Sequence, residues 1–253
     1  MTSIRIEKTG PVAVLHLEHG KANALDTELC RELTAKVDEA ALAGQRALVL
    51  TGRDGVFSAG VDLRRIRDGG AAYVRRFLPA LSDAFLAVFG FPGPTVAAVS
   101  GHAIAGGAVL AAACDRRVMA SGAGRFGLTE LAVGVPFPLV AIEVLRCAYG
   151  NPLLSELTLS ARTYAAPDAL SKGLVHELAA PDAVVSRGTE LALELAAAPE
   201  EAFAHTKAQL HRPFDERIGE QRAAGDGPVE QMWSSPETLA SISEYVRRVL
   251  ERR

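Results

Sequence analysis

No stretch of this chain is apolar for long enough to cross a membrane, and its first residues, MTSIRIEKTG, lack the apolar run of a secretory leader. An excess of one charge is missing too. Lys and Arg number 27 against 30 Asp and Glu, a formal net charge of −3, so no basic face offers itself to nucleic acid. The arginines of 247–253 alternate with Val249 and Leu250 and read as a solvated helix end. Cysteine is scarce: Cys30, Cys114 and Cys147 are the only three, and no CxxC pairs them, which argues against a disulfide frame and suits a reducing compartment. The expectation is a cytoplasmic protein with neither membrane nor nucleic acid as partner. Its 253 residues are enough for one main domain, placed at 1–198, with a helical appendage at 199–253.

Nucleotide-binding and nucleophile motifs are also incomplete. The segment TGRDGVFSAGVDL (51–63) has no closing Gly-Lys-Ser/Thr, so it is not a phosphate loop. Ser58 lacks the glycine two residues earlier that a nucleophile elbow needs, and reads as structural. GAGRFG (122–127) matches G-x-G-x-x-G in form only, because Gly134 and Pro136 interrupt the place where a long crossover helix should begin.

What is present centres on SGHAIAGGAVLAAACD (100–115). The β-branched run before it, at 94–99, reads as a buried strand, and the apolar run at 108–113 as a helix. Gly106 and Gly107 lie between them. Without a Cβ they let the backbone turn sharply, either for tight packing or to bring a ligand to the unpaired amides at the helix start. Upstream, Ile4 and Ile6 with Val12, Val14 and Leu17 alternate about a Thr-Gly-Pro turn as a hairpin would, and His16 and His19 read as surface histidines. Asp26 or Thr27 caps a helix ending near Gly44, and a strand follows at 47–50, giving a βαβ rhythm. Tyr73, Phe77, Leu81, Phe85 and Val88 recur at helical spacing and read as core. His102 reads as a spacer beside Gly101. Glu130, set among Leu128, Leu131, Ala132 and Val133, is the leading acid/base candidate, since a carboxylate in apolar company is costly unless paired, neutral or functional; a solvent-facing glutamate is the other reading. Helices are expected at 138–149, 152–160, 182–198, 200–211 and 236–253, with 222–229 the loosest segment. No internal repeat is visible.

Together KANALD (21–26), FSAGVDL (57–63), GHAIAGG continuing to CD (101–115) and FGLTELAVGVPFP (126–138) resemble the crotonase, or enoyl-CoA hydratase/isomerase, superfamily, in its order and spacing. The resemblance implies an α/β fold, a crotonase-like spiral of ββα units with a C-terminal helical trimerisation region, and assembly as a homotrimer or a hexamer made of two trimers. It implies an acyl-CoA thioester as ligand and no separate cofactor, coenzyme A being part of the substrate. Carried over position by position, the backbone amides of Val61 and Gly106 form an oxyanion hole. Lys21, Ala22 and Ala24, with Ala59, Asp62, Leu63 and Arg64, border the coenzyme, Arg64 toward phosphate, and Gly107 belongs to the same binding set.

One departure bears on the chemistry. Hydratases of this family use two glutamates; here the first position holds Val109, and Glu130 matches the second. Hydration needs oxygen activated at C3 and a proton delivered at C2, whereas moving a double bond needs one base that lifts a proton from C2 and returns it at C4. The chain therefore resembles the one-glutamate Δ3,Δ2-enoyl-CoA isomerases. A dienoyl-type second acid would fall on Pro138 and is disfavoured. A hydratase, another crotonase reaction such as thioester hydrolysis, and a non-catalytic acyl-CoA binder are the alternatives. Acyl chain length is tied to where Tyr73, Phe77 and Phe137 are placed.

Overall fold

The computed structural model describes residues 3–251. The chain opens with a hairpin, β1 (Ile4–Thr9) antiparallel to β2 (Val12–Leu17), followed by α1 (Thr27–Leu42), which starts where the Asp26 carboxylate accepts the Leu29 amide at 2.8 Å. Three ββα turns then succeed one another: β3 (Ala47–Thr51), β4 (Gly55–Ser58) and α2 (Leu63–Phe89); β5 (Thr95–Val99), β6 (Gly101–Ile104) and α3 (Gly106–Ala112); β7 (Arg116–Ala120), β8 (Arg125–Gly127) and α4 (Glu130–Val133). The repetition is one of geometry and not of sequence, which is why no repeat was legible. The long helix α5 (Leu139–Ser160) bends at Gly150, as the expected pair of helices implied. After it come β9 (Thr163–Ala165), α6 (Ala166–Ser171), β10 (Glu177–Ala179), α7 (Val184–Ala196), α8 (Glu200–Ser234), α9 (Pro236–Tyr245) and a π-helical turn, Val246–Leu250.

In each ββα turn the first strand joins one sheet and the second strand another. The larger sheet runs β1-β2-β3-β5-β7-β10, parallel from β2 onward; the smaller runs β4-β6-β8-β9, with only β9 antiparallel. Both faces of the larger sheet are covered, so β3 and β5 are buried throughout and carry no polar alternation. Alternate residues instead choose between two apolar layers. Val49, Val96, Ala98 and Val118 pack toward α7, whereas Leu48, Leu50, Ala97, Val99 and Met119 pack into the main core with α1, α2 and α5. The stripe Tyr73, Phe77, Leu81, Phe85 and Val88 lies in that main core, as its spacing implied.

Two expectations need correction. The segment 222–229 is not loose: α8 continues through it, past Pro213 and Pro228, with Arg222 and Asp226 paired one turn apart and Asp226 accepting the Leu139 amide at 3.2 Å. The C-terminal end is not wholly solvated either. Arg247 and Arg248 are exposed, but the π-turn's backbone docks against the start of α2; Arg252 and Arg253 lie outside the described residues.

A largely buried ion pair ties α8 to the sheet. The Lys207 ammonium donates to Asp115 at 2.8 Å and to the Gly93 carbonyl at 3.1 Å, while Asp115 also accepts the amide and hydroxyl of Thr95 at the head of β5. Replacing Asp115 with alanine strands that ammonium in the interior. The unfolding free energy is expected to fall by about 3–5 kcal/mol, read from the urea midpoint at constant m; a loss below about 1 kcal/mol would show that the pair does not hold α8 in place.

Candidate active site

The parallel strands β4, β6 and β8 lie side by side in register, with Ser58 opposite Ala103 and Ala103 opposite Phe126. The chain leaves all three at the same end. Three residues beyond Ser58 is Val61; three beyond Ala103 is Gly106; four beyond Phe126 is Glu130. Parallel pairing therefore delivers these positions, far apart in sequence, to one place at the carboxyl edge of the smaller sheet.

The loop after β4 is held by residues that do not face the ligand space. Asn23, fully buried and at φ +47°, accepts the His19 amide through its side-chain oxygen at 2.9 Å and donates to the Phe57 carbonyl at 3.0 Å. The Ser58 hydroxyl donates to the Asn23 carbonyl at 2.7 Å and accepts the Gly60 amide at 3.2 Å, which confirms Ser58 as structural. Gly60 has φ +83°, and a Cβ there would stand 2.6 Å from the Ile104 carbonyl oxygen, so only glycine fits. Leu25 and Val61 form an isolated parallel bridge whose bonds run through the Gly60 carbonyl and the Asp62 amide. The Val61 amide is skipped by this ladder and left available.

On the neighbouring strand, Ala105 adopts φ +51°, ψ −126°, a region costing about 1–3 kcal/mol for a residue with a Cβ. Its amide bonds to the Gly127 carbonyl at 2.8 Å, and its carbonyl accepts the amides of Ala108 and Val109. The Gly106 amide at the start of α3 has no partner inside the helix. A Cβ on Gly60 would lie 3.2 Å from the Gly106 nitrogen, so the two loops touch.

Around this meeting point is a cavity of about 170 Å³. Ala22, Ala24, Ala59, Val61, Asp62, Leu63, Arg64 and Glu130 are on its wall. Three expected residues are not. Lys21 is exposed to solvent off the wall, and Gly107 packs against Ser58, where a Cβ would come 2.4 Å from the carbonyl oxygen; its glycine serves packing. Gly106 sits just behind the wall against Leu25 and Val61. Arg64 lines the cavity, but its guanidinium donates to the Leu250 carbonyl at 3.0 Å. His19 is a second correction: it is half-buried, with Nε2 2.8 Å from Asp26 and Nδ1 2.7 Å from Ser3, and so braces the 19–26 loop from behind. His16 is half-buried as well. His102 is exposed and accepts the Arg125 amide through Nδ1, consistent with a spacer.

Sequence reading missed the C-terminal part of the wall. Trp233 of α8, Tyr245 of α9 and Leu250 of the π-turn also line the cavity, each more than a hundred residues beyond Glu130. The single tryptophan in a long helix was the one signal available. Tyr73, Phe77 and Phe137 are not on the wall; Tyr73 stacks on Phe77 at 5.6 Å within the core.

Glu130 is 7 % exposed, and one of its oxygens, Oε2, is buried with no hydrogen-bond partner among the described residues. Burial pushes its carboxyl up to about 7, only partly offset by the nearby backbone amides of Glu130 and Thr129. Asp62, the other carboxylate of the wall, is spent on capping α2, where it accepts the amides of Arg64 and Arg65. Val109, where a second glutamate would stand, is buried in the apolar core.

A larger cavity of about 450 Å³ shares no residue with this one. Its charges are already matched: Lys207 to Asp115, and Arg117 to the carbonyls of Leu174 and Cys114, while burial holds His176 neutral with a pKa of about 3. No group of three or more His, Cys, Asp or Glu among the described residues could hold a metal ion.

Comparison with known proteins agrees with this arrangement. The family profile for enoyl-CoA hydratase/isomerase matches residues 7–253. A putative enoyl-CoA hydratase of Thermus thermophilus is 40 % identical over 198 residues, covering 76 % of this chain and 77 % of its own. A probable enoyl-CoA hydratase of Mycobacterium avium is 32 % identical over 228 residues, with 88 % and 87 % covered. Among solved structures, human mitochondrial Δ3-Δ2-enoyl-CoA isomerase superposes with a TM-score of 0.94 at 25 % identity, covering 99 % of each chain. With the profile spanning nearly the whole sequence, and with the ββα spiral and its carboxyl-edge cavity in place, the chain belongs to the enoyl-CoA hydratase/isomerase family.

Proposed function

We propose that the protein is a Δ3,Δ2-enoyl-CoA isomerase working with a single carboxylate. The observation that carries this reading is Glu130: buried, unpaired at one oxygen, and without a second uncommitted carboxylate on the wall. With a 3-enoyl thioester seated against Val61, the Glu130 carboxylate removes a proton from C2. The electron pair moves into the thioester, and the oxygen becomes an enolate held by the amides of Val61 and Gly106. The carboxylic acid then returns the proton at C4, leaving the double bond between C2 and C3, so atoms and charge balance without a cofactor. A positioned base contributes roughly a hundred- to ten-thousand-fold in rate, and one oxyanion donor about 3 kcal/mol of barrier. Ala22, Ala24, Ala59 and Leu63 form the apolar approach for the coenzyme, and Arg64 exchanges its contact with Leu250 for phosphate.

The relatives' names favour a second reading, an enoyl-CoA hydratase. Water addition by that route needs a group to share the proton work, and Val109 offers none. Assay of the wild type on both 2-enoyl and 3-enoyl thioesters separates the two: isomerisation without hydration supports the proposal, and hydration without isomerisation overturns it. Tight thioester binding with neither reaction would indicate a binding protein.

Four outcomes are expected. Glu130→Gln keeps acyl-CoA affinity within a few-fold but loses isomerase turnover by about a hundred-fold or more; normal turnover would remove Glu130 as the base. For the wild type, kcat/KM should rise with pH and level off above about 7, because the base must be ionised. Stability should move the other way. Folded Glu130 retains its proton above its ordinary value of 4.5, so its contribution is full below 4.5 and is lost as pH climbs through about 7. At pH 8, Glu130→Gln should accordingly be more stable than the wild type by about 1–3 kcal/mol in urea melts; an equal or lower midpoint would contradict the buried-charge account. Finally, Gly60→Ala should lower the urea midpoint and reduce kcat of the folded protein by about ten-fold or more, since its Cβ pushes the Val61 loop off Ile104; unchanged kcat would show that this loop does not position a donor.

A further inference from the structure

We infer that Ser241 of α9, which lies off the cavity wall, is a positioning residue for Glu130: its hydroxyl fixes the turn of helix that carries the carboxyl. The inference deepens the isomerase reading above and rests on its assignment of Glu130 as the base. Helix α4 is only four residues long, Glu130–Val133, well short of the roughly 12–15 at which a helix begins to hold itself in water. Its form, and with it the direction of Glu130, therefore depends on what grips it from outside.

Within the turn, the Thr129 carbonyl accepts the amides of Ala132 and Val133, and the Glu130 carbonyl accepts those of Gly134 and Val135. The last carbonyls of a helix have no partner inside it. Here the Val133 carbonyl is met from 108 residues away, where the Ser241 hydroxyl donates to it at 2.8 Å. The fit is close: Gly134 turns the chain at φ +92°, and a Cβ on it would stand 3.0 Å from the Ser241 oxygen. Ile242 and Val246, both fully buried, seat α9 and the turn after it, so the hydroxyl is presented from a fixed support. A second tether follows at Pro136, whose carbonyl accepts the Trp233 indole at 2.8 Å. Trp233 also lines the cavity, so Ser241 is the tether that can be removed without touching a ligand. Burial, not a charged neighbour, is what raises the Glu130 carboxyl. Asp62, Arg64 and Tyr245 are the other titratable side chains on the wall; Asp62 caps α2 and Arg64 donates to the Leu250 carbonyl. On the helices packed against α4, Glu237 and Glu244 of α9 are exposed, and Glu143 of α5 is paired with Arg146 and Arg217. Loosening α4 thus admits water to the carboxyl and moves it back toward its ordinary value.

The test reads the carboxyl directly, by carbon-13 NMR of the side-chain carboxyl resonances in the full-length protein, with the Glu130 signal identified by Glu130→Gln. Ser241→Ala should lower the Glu130 titration midpoint from about 7 by about one pH unit or more. It should also reduce kcat on 3-enoyl thioesters by about ten-fold, with KM within about two-fold. Ser243→Ala is the control: it removes a comparable hydroxyl bond inside α9, to the Leu239 carbonyl at 2.7 Å, and should move neither quantity. A role confined to stability would lower the urea midpoint of Ser241→Ala and leave the titration where it is. An unmoved or raised titration midpoint in Ser241→Ala, or an equal shift in Ser243→Ala, overturns the inference. The two failures are distinguishable. Normal turnover by Glu130→Gln overturns the isomerase reading and this role with it, whereas an inactive Glu130→Gln beside an unaltered Ser241→Ala overturns only this inference. In a protein that binds thioesters without turning them over, the titration alone decides whether Ser241 holds the carboxyl.

Discussion

The close parallel pairing of β4, β6 and β8 is the constraint on which the site depends. Ordinary strand spacing brings neighbouring chain exits within about 5 Å of one another, and the outer two within about 10 Å, at one edge of the smaller sheet. Two exits supply backbone amides that no ladder or helix uses, and the third supplies a carboxylate. Small residues make that proximity possible: Gly60 allows the first loop to lie on the second, and Gly107 allows α3 to start against Ser58. Strain is concentrated where it positions an amide. Ala105 holds an unfavourable backbone conformation because Gly127 on one side and the first turn of α3 on the other fix its peptide groups.

Glu130 shows the opposite balance of forces. Most buried polar groups here are satisfied: Asn23 by three bonds, Glu143 by Arg146 and Arg217, Lys207 by Asp115. Among the described residues, Glu130 alone of the buried acids keeps an oxygen without a partner, in apolar surroundings that favour its neutral form. A group of that kind destabilises the folded chain when ionised and is correspondingly ready to take a proton near neutrality. Stability and reactivity thus pull against each other at one side chain.

The helical C-terminal region does more than pack against the core. α8 is locked to the larger sheet by the Lys207–Asp115 pair and carries Trp233 to the cavity, while α9 and the π-turn fold back onto α2 and α4. The space for a ligand is consequently shaped by two parts of the chain that have no local relation. Loops from the spiral provide Val61 and Glu130, and the late helices add Trp233, Tyr245 and Leu250.

Sequence by itself determined the elements whose causes are local. The hairpin at the N-terminus, the Asp26 cap, the amphipathic stripe of α2 and the buried strands β3 and β5 follow from periodicity and turn chemistry over a few residues. The four motifs were specific enough to imply the family, and the apolar company of Glu130 marked the acid. Only tertiary structure decided what depends on distant segments meeting: that Lys21 and Gly107 stay off the cavity wall, that His19 braces a loop, that 222–229 remains helical through its contacts, and that Trp233, Tyr245 and Leu250 join the cavity wall. Their side chains carry no local signature of that role. Burial and proximity are properties of the folded surface, and the pattern of a segment records its own period but not which other segment comes to lie against it.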